Sequence, residues 1–345
     1  MNGLPALPRD DASADTRLVP FLARVDDALH ARWIDELRIA FADELARRAR
    51  SATPSGTPIR IELVRFADLS DVERAGVRVA IVADADPAEL AALPALEWVQ
   101  SLWAGVETLV DAFRERDVGI ARLVDPRLAE AMAEAVLAWT LYLHRDMPRY
   151  LAQQRAGIWA DHELVPAGAR RVGVLGLGAL GERAARTLVG AGFDVAGWSR
   201  SAKSLDGVRT FHGDDGLAAL LERSDVLVVV LPLTDATRGL VDADALARLP
   251  PDASLVNVAR GPIVVETDLL AALDDGRLAH AVLDVFEVEP LPPAHPYWSH
   301  PGVTVMPHVA APTDRPSASR VAARAIVTWA ASGERPETVD PRRGY

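Results

Sequence analysis

An α/β fold of two doubly wound parallel-sheet domains is the architecture predicted for this 345-residue chain. Three observations carry it. Short apolar runs of strand length recur, separated by stretches in which apolar residues fall three or four apart. One of those runs, residues 172–175, passes straight into Gly176-x-Gly178-x-x-Gly181 and a helical stretch, the order a parallel βαβ unit requires. The length suffices for two cores of ordinary size.

Taken in order, residues 1–16 are polar, acidic and proline-containing, and are expected to form a loose tail. Residues 18–23 make a first strand whose pairing Pro20 restricts. A helix over 28–48 is followed by a Ser/Thr/Pro/Gly loop over 51–58. Strands are expected at 59–64 and 77–82, a short helix at 87–93, and a strand at 96–102. This alternation favours a flavodoxin-like parallel sheet. The last of these strands ends in Trp103-Ala104-Gly105-Val106-Glu107. A glycine turn at a strand end exposes backbone N–H groups where ligands bind in such sheets. Trp103, Ala104, Gly105 and Val106 are therefore candidate ligand contacts, a plain strand-to-helix turn being the alternative. Residues 126–150 form one long helix with a broad apolar face. It is expected to join the domains and, near 132–160, to act as an arm that builds a homodimer.

The glycine turn has a physical logic. Gly176 permits a tight turn, Gly178 lets backbone approach a pyrophosphate, and Gly181 lets the helix sit close on the strand. Together with Leu177, Ala179 and Leu180 they form the expected cofactor loop, with phosphates at the positive helix N-terminus. Leu180, Ala184 and Leu188 lie four apart on one face, and Gly190 and Gly192 close the helix. A second strand follows over 193–198. It ends in Ser199, Arg200, Ser201 and Lys203, where a site for NAD usually places a carboxylate for the ribose 2′-OH. Asp194 comes too early to serve. Two cations and two hydroxyls suit a 2′-phosphate, so NADP(H) is expected, with NAD(H) the weaker alternative.

Beyond a helix fragment at 217–221, strands are expected at 226–231, 254–258, 279–286 and 303–306. They run into Pro232-Leu233-Thr234, Ala259-Arg260-Gly261, and Pro307-His308. In a doubly wound sheet these ends share one crevice. Leu231, Pro232, Thr234, Ala259 and Asp284 are further candidate cofactor contacts there, and Arg260, Glu289 and His308 can converge. Finally Val321, Ala325 and Trp329, with Ala322, Ile326 and Ala330, give a four-spaced face on a helix expected to cross back onto the first domain. The expected division is 17–131 with 314–345, for substrate, and 132–313, for dinucleotide.

Half the residues are hydrophobic and a quarter charged, as in an ordinary globular protein. A net charge of −12 argues against nucleic-acid and anionic-membrane partners, and leaves an anionic ligand dependent on local Arg and Lys. With no cysteine, thiolate metal sites, disulfides and a Cys nucleophile are excluded, and no metal is expected. Neither a signal sequence nor a membrane-length apolar run is evident, so the cytoplasm is the default compartment.

Four motifs in order complete the reading: the glycine turn, Asn257-Val258-Ala259-Arg260-Gly261, Leu283-Asp284-Val285-Phe286-Glu287-Val288-Glu289-Pro290, and Pro307-His308-Val309-Ala310. With them the sequence resembles the D-isomer-specific 2-hydroxyacid dehydrogenase family. The segments LWAGVE, WSRS and EPLPPAHPYWSHPGVTVMPHVAAPT look most like its glyoxylate/hydroxypyruvate reductase A group. The resemblance implies a Rossmann dinucleotide-binding domain beside the flavodoxin-like one, and a catalytic triad at Arg260, Glu289 and His308. Two glutamates compete for the middle role; Glu289, not Glu287, has the spacing of the glyoxylate-reducing members, 29 residues after Arg260 and 19 before His308.

The implied reaction is NADPH-dependent reduction of glyoxylate to glycolate and of hydroxypyruvate to D-glycerate. The side chains suit it. The fork of Arg260 binds the oxygens of a 2-oxo acid, His308 donates a proton to the ketone oxygen, and Glu289 holds the imidazole and favours its charged form. The resemblance also implies that backbone amides around Ala104, Gly105 and Val106 grip the substrate carboxylate. Alternatives are a reductase of bulkier 2-oxo acids such as phenylpyruvate, to which Trp103 is suited, and a dinucleotide-sensing corepressor-like interaction protein.

Overall fold

The computed structural model describes residues 15–51 and 59–340. They fall into two compact units: residues up to 124 together with those from 314 onward, and residues 125–313. The division precedes Asp125, whose carboxylate caps the next helix by accepting from Arg127 N, so that whole helix belongs with the second unit.

The first unit opens with β1 (Asp15–Ala23), α1 (Asp27–Ser51), β2 (Ile59–Arg65), α2 (Asp71–Gly76) and β3 (Val79–Ala83). It continues through α3 (Pro87–Ala91), β4 (Trp98–Ser101), α4 (Glu107–Ala112) and β5 (Gly119–Ala121). All strands are parallel in the order β2-β1-β3-β4-β5, which is the flavodoxin order. Every residue of β3 is buried, as a central strand covered on both faces demands. On α1 the buried side chains Trp33, Ile34, Leu37, Ala40 and Phe41 make one helical stripe. Pro20 pairs with Val64 of β2, while pairing with β3 begins only at Phe21. The proline thus lies where β1 has a partner on one side, consistent with its missing N–H. The expected loose tail lies outside the described residues up to position 14, and its last two residues, Asp15 and Thr16, already belong to β1. Likewise 52–58 of the expected loop lie outside them.

The second unit comprises α5 (Pro126–His144), α6 (Met147–Ala156), β6 (Arg171–Leu175), α7 (Ala179–Gly190), β7 (Asp194–Ser199) and β8 (Arg209–His212). Then follow α8 (Gly213–Arg223), β9 (Val226–Val229), α9 (Ala243–Arg248), β10 (Ala253–Asn257), α10 (Glu266–Asp274), β11 (Leu278–Leu283) and β12 (Val303–Val305). The parallel sheet runs β12-β11-β10-β9-β6-β7-β8, the dinucleotide-binding order with one strand added at an edge. The helix expected over 126–150 is two helices. Pro148 lacks an N–H and its ring excludes a helical carbonyl four residues back, so the chain steps through a left-handed residue, Asp146 at φ 54°, and starts again. The strand expected at 279–286 stops at Leu283, which leaves Asp284 to Phe286 as turn.

The last helix, α11 (Arg315–Ser332), returns to the first unit. Ala322, Ala323, Ile326 and Trp329 are its buried stripe, and Trp329 meets Trp98 edge-on at 6.1 Å. Val321, Ala325 and Ala330, expected on that face, are half-buried at its margin. Among the described residues no helix is long and apolar enough to cross a membrane.

Candidate active site

The glycine turn leaves β6 and caps α7. Gly176 has φ 112° and donates from its N to Trp198 O at 3.0 Å. A β-carbon on Gly176 would lie 2.8 Å from Val230 O, and one on Gly181 only 1.8 Å from Gly176 O. Gly178, by contrast, faces open space. No side chain caps α7, so the positive end of that helix is offered to a ligand beside the bare Gly178 backbone. This is a fit for a dinucleotide pyrophosphate.

At the end of β7, Ser199 is buried and its hydroxyl donates to Ser201 O at 2.8 Å. Arg200 and Ser201 are exposed. Lys203 Nζ donates to Leu177 O at 2.5 Å, which lays its ammonium against the glycine turn. Asp194 is at the other end of the strand, paired with Arg223 at 2.6 Å. No carboxylate occurs from 195 to 205. The loop after β9 is closed on itself: Thr234 N donates to Thr237 Oγ1, whose hydroxyl donates to Pro232 O. Leu231 is buried beside Gly176.

The ends of β10, β11 and β12 hold the three triad candidates. Buried Asn257 donates from Nδ2 to Arg260 O at 3.0 Å and accepts from Ala259 N at 3.1 Å, which shapes the turn that presents Arg260. Gly261 packs on the next turn so tightly that a β-carbon would fall 2.0 Å from the Phe286 carbonyl carbon. Only glycine allows that approach. Arg260 Nη1 donates to Ala259 O at 2.6 Å.

His308 has φ 54°, and its backbone N donates to Asp284 O at 2.9 Å. Both carboxylate oxygens of buried Asp284 accept main-chain N–H groups, from Val309 at 2.8 Å and Ala310 at 2.9 Å. Burial pushes the Asp284 carboxyl up, and these two bonds oppose the shift. Expected among the cofactor contacts, Asp284 spends its carboxylate here on the histidine turn. Its own N donates to Asn257 O at 2.9 Å, so the turns carrying Arg260 and His308 share one support. Sequence reasoning gave Asn257 no role; a polar residue closing an otherwise apolar buried strand was the available signal.

Of the two competing glutamates, Glu289 reaches the histidine. His308 Nδ1 donates to Glu289 Oε2 at 2.7 Å, while Glu289 Oε1 accepts from Phe286 N at 2.9 Å. Glu287 is exposed. With Nδ1 committed to the carboxylate, Nε2 is the ring atom left for proton transfer, on a side chain that is half exposed.

In the first unit, buried Ser101 shapes the turn after β4. Its hydroxyl accepts from Trp103 N at 3.0 Å and donates to Trp103 O at 3.1 Å, and Leu123 N donates to the same carbonyl at 2.9 Å. Gln100 ties Ser101 O to Ala121 O through its amide. Among the described residues no acceptor meets the N–H of Ala104, Gly105 or Val106.

Comparison with known proteins identifies the family and the fold. Residues 137–310 match the family described as D-isomer specific 2-hydroxyacid dehydrogenase, NAD binding domain. Glyoxylate/hydroxypyruvate reductase A of Yersinia enterocolitica is 38% identical over 262 residues, spanning 74% of this chain and 84% of that protein. A D-isomer specific 2-hydroxyacid dehydrogenase from Xanthobacter autotrophicus Py2, solved with NADPH and MES, is 40% identical with a TM-score of 0.83, covering 95% of this chain and 99% of its own. An NADPH-dependent glyoxylate/hydroxypyruvate reductase from Sinorhizobium meliloti, solved with NADP and sulfate, is 34% identical with a TM-score of 0.78, covering 95% and 100%. By its motifs, its two sheets and these similarities, the chain belongs to the D-isomer specific 2-hydroxyacid dehydrogenase family.

Proposed function

We propose that the protein is a cytoplasmic reductase of small 2-oxo acids, glyoxylate and hydroxypyruvate, that uses NADPH in preference to NADH. The observation that carries this reading is the His308–Glu289 contact, set at the strand ends of the sheet that also holds the glycine turn. The names of the relatives supply the substrate class.

The second unit is the dinucleotide domain. Gly176 to Gly181 and the N-terminus of α7 hold the pyrophosphate, and Ser199, Arg200, Ser201 and Lys203 take the 2′-phosphate. Leu231, Pro232, Thr234 and Ala259 line the same strand ends. When bound, NADPH supplies the hydride that reduces the ketone carbon.

The remaining work falls to side chains of this protein. Arg260 clamps the carboxylate and ketone oxygens of the 2-oxo acid, fixing its orientation and drawing charge onto the ketone oxygen. His308 gives its Nε2 proton to that oxygen as negative charge develops. Glu289 holds the ring by Nδ1 and stabilises the imidazolium. The main-chain N–H groups of Ala104, Gly105 and Val106, at the turn after β4, are donors suited to a carboxylate.

A homodimer completes the reading. Helix α6 buries none of its residues, and Met147, Leu151, Ile158, Trp159 and Leu164 are exposed along it and just after it. A second copy covering this apolar arm explains why such side chains are tolerated at the surface.

Oxidation of NADPH and of NADH, measured side by side with glyoxylate, hydroxypyruvate, pyruvate and phenylpyruvate, tests the function. Fast turnover of glyoxylate and hydroxypyruvate with NADPH is expected. Absence of turnover in protein that binds the dinucleotide contradicts it.

A further inference from the structure

Glu289 stands in a turn that is fastened at both ends to the segment following Arg260. At one end Gly261 packs on the Phe286–Glu287 peptide, where a β-carbon would fall 2.0 Å from the Phe286 carbonyl carbon. At the other, His295 Nε2 donates at 3.0 Å to Oε1 of Glu266, the first residue of α10. The roles of the two ring nitrogens follow from their partners: His295 Nδ1 accepts from Tyr297 N at 3.3 Å, which leaves the proton on Nε2. The imidazole is largely buried, with 14% of its side chain exposed.

The rest of the turn closes around the same ring. The buried rings of Phe286 and Tyr297 lie 6.2 Å apart, and that of His295 sits 4.6 Å from Tyr297. Pro292 O accepts from His295 N at 3.0 Å and from Trp298 Nε1 at 2.9 Å. Residues 286–298 thus form a closed loop fastened to α10, and the Glu289 carboxylate, held by Phe286 N, leaves it to meet His308. A carboxylate that orients a proton donor is only as fixed as the loop that carries it. A matching pair lies at the far end of the same helix. There His300 Nε2 donates to Asp274 Oδ1 at 3.2 Å and Nδ1 accepts from Gly302 N at 3.0 Å, which fastens the chain entering β12 and not the turn of Glu289.

We propose that His295, through its hydrogen bond to Glu266, is a positioning residue that holds the Glu289 carboxylate against His308. The proposal rests on the reading of Glu289 and His308 as the proton relay and adds a residue to it. His295 acts through the loop and not on the substrate.

The test is a double-variant cycle on kcat for glyoxylate reduction. His295→Ala is expected to lower kcat about tenfold, as misplacement of a catalytic group implies. KM for glyoxylate and Kd for NADPH stay near the wild-type values, because Asn257 still holds the Arg260 turn and the glycine turn does not rely on His295. Glu266→Ala breaks the same bond from the other side with the same result, and serves should His295→Ala be insoluble. His295→Gln, whose amide reaches Glu266, recovers most of the loss. In the Glu289→Gln background, His295→Ala lowers kcat by less than about a further twofold, because the charge it positions is already gone. His300→Ala keeps kcat near wild type. Losses that multiply in the double variant, a wild-type kcat in His295→Ala, or an equal loss in His300→Ala each overturn the proposal. A wild-type kcat in Glu289→Gln overturns the relay itself instead, so the two failures are distinguishable.

Discussion

His308 Nδ1 and Glu289 Oε2 are 2.7 Å apart, and the other oxygen of the same carboxylate is held by Phe286 N at 2.9 Å. The glutamate is therefore fixed before it fixes the histidine. Its anchor lies in the turn that Gly261 packs against, next to Arg260.

Replacing Glu289 by Gln keeps the size of the side chain and removes the charge that holds and stabilises the ring. A fall in kcat of about a hundredfold is expected, with NADPH affinity unchanged. Glu287→Gln, at the exposed competitor, leaves kcat at the wild-type level. Steady-state kinetics of the two variants checks both statements, and the reverse ranking contradicts the assignment.

The proposed cofactor preference rests on the end of β7, where Arg200 and Lys203 stand and no carboxylate does. Arg200→Asp replaces a cation with a group that repels a 2′-phosphate. KM for NADPH is expected to rise about tenfold or more, as loss of a charge-assisted bond implies, while KM for NADH changes little. Equal effects on the two cofactors contradict the 2′-phosphate role.

Much of this was legible in the chain because local rules acted alone. The glycine turn announced itself since each glycine answers a short-range steric demand, as the collisions at Gly176 and Gly181 show. The central strands β3, β6, β9 and β10 were visible as apolar runs because nearly all their residues are buried on both faces, whereas β5, only three residues long, was not expected. What escaped depends on partners far away in sequence. Asp284 is a support for the His308 turn only by bonds spanning 25 and 26 residues, and nothing in LDVF reveals them. Strand β8 was missed because its alternation, Arg209 to His212, is half-exposed at a sheet edge. The break at Asp146 was readable from Pro148 and was overridden by the run of Ala and Leu before it.

A pH effect follows from His280 on β11. Burial, with a further contribution from His300, drives its imidazole from 6.5 down to about 4, and its Nε2 shares a hydrogen bond with Thr304 Oγ1 at 2.8 Å. Between those values the unfolded chain binds a proton that the folded chain does not. Stability from the neutral ring is therefore complete above 6.5 and is lost as pH falls toward 4. In His280→Gln, the loss of unfolding free energy between about pH 7 and about pH 4.5 is expected to shrink by about 2 kcal/mol. Denaturant titrations at the two pH values measure it, and an identical pH dependence contradicts the shift.

The most direct test of the account is His308→Asn, assayed for both turnover and cofactor binding. Removing the positioned acid is expected to lower kcat for glyoxylate reduction by about 10²–10⁴-fold while the Kd for NADPH, read from nicotinamide fluorescence, stays at the wild-type value. A kcat within about fivefold of wild type contradicts the proton-donor role of His308 and, with it, the proposed mechanism.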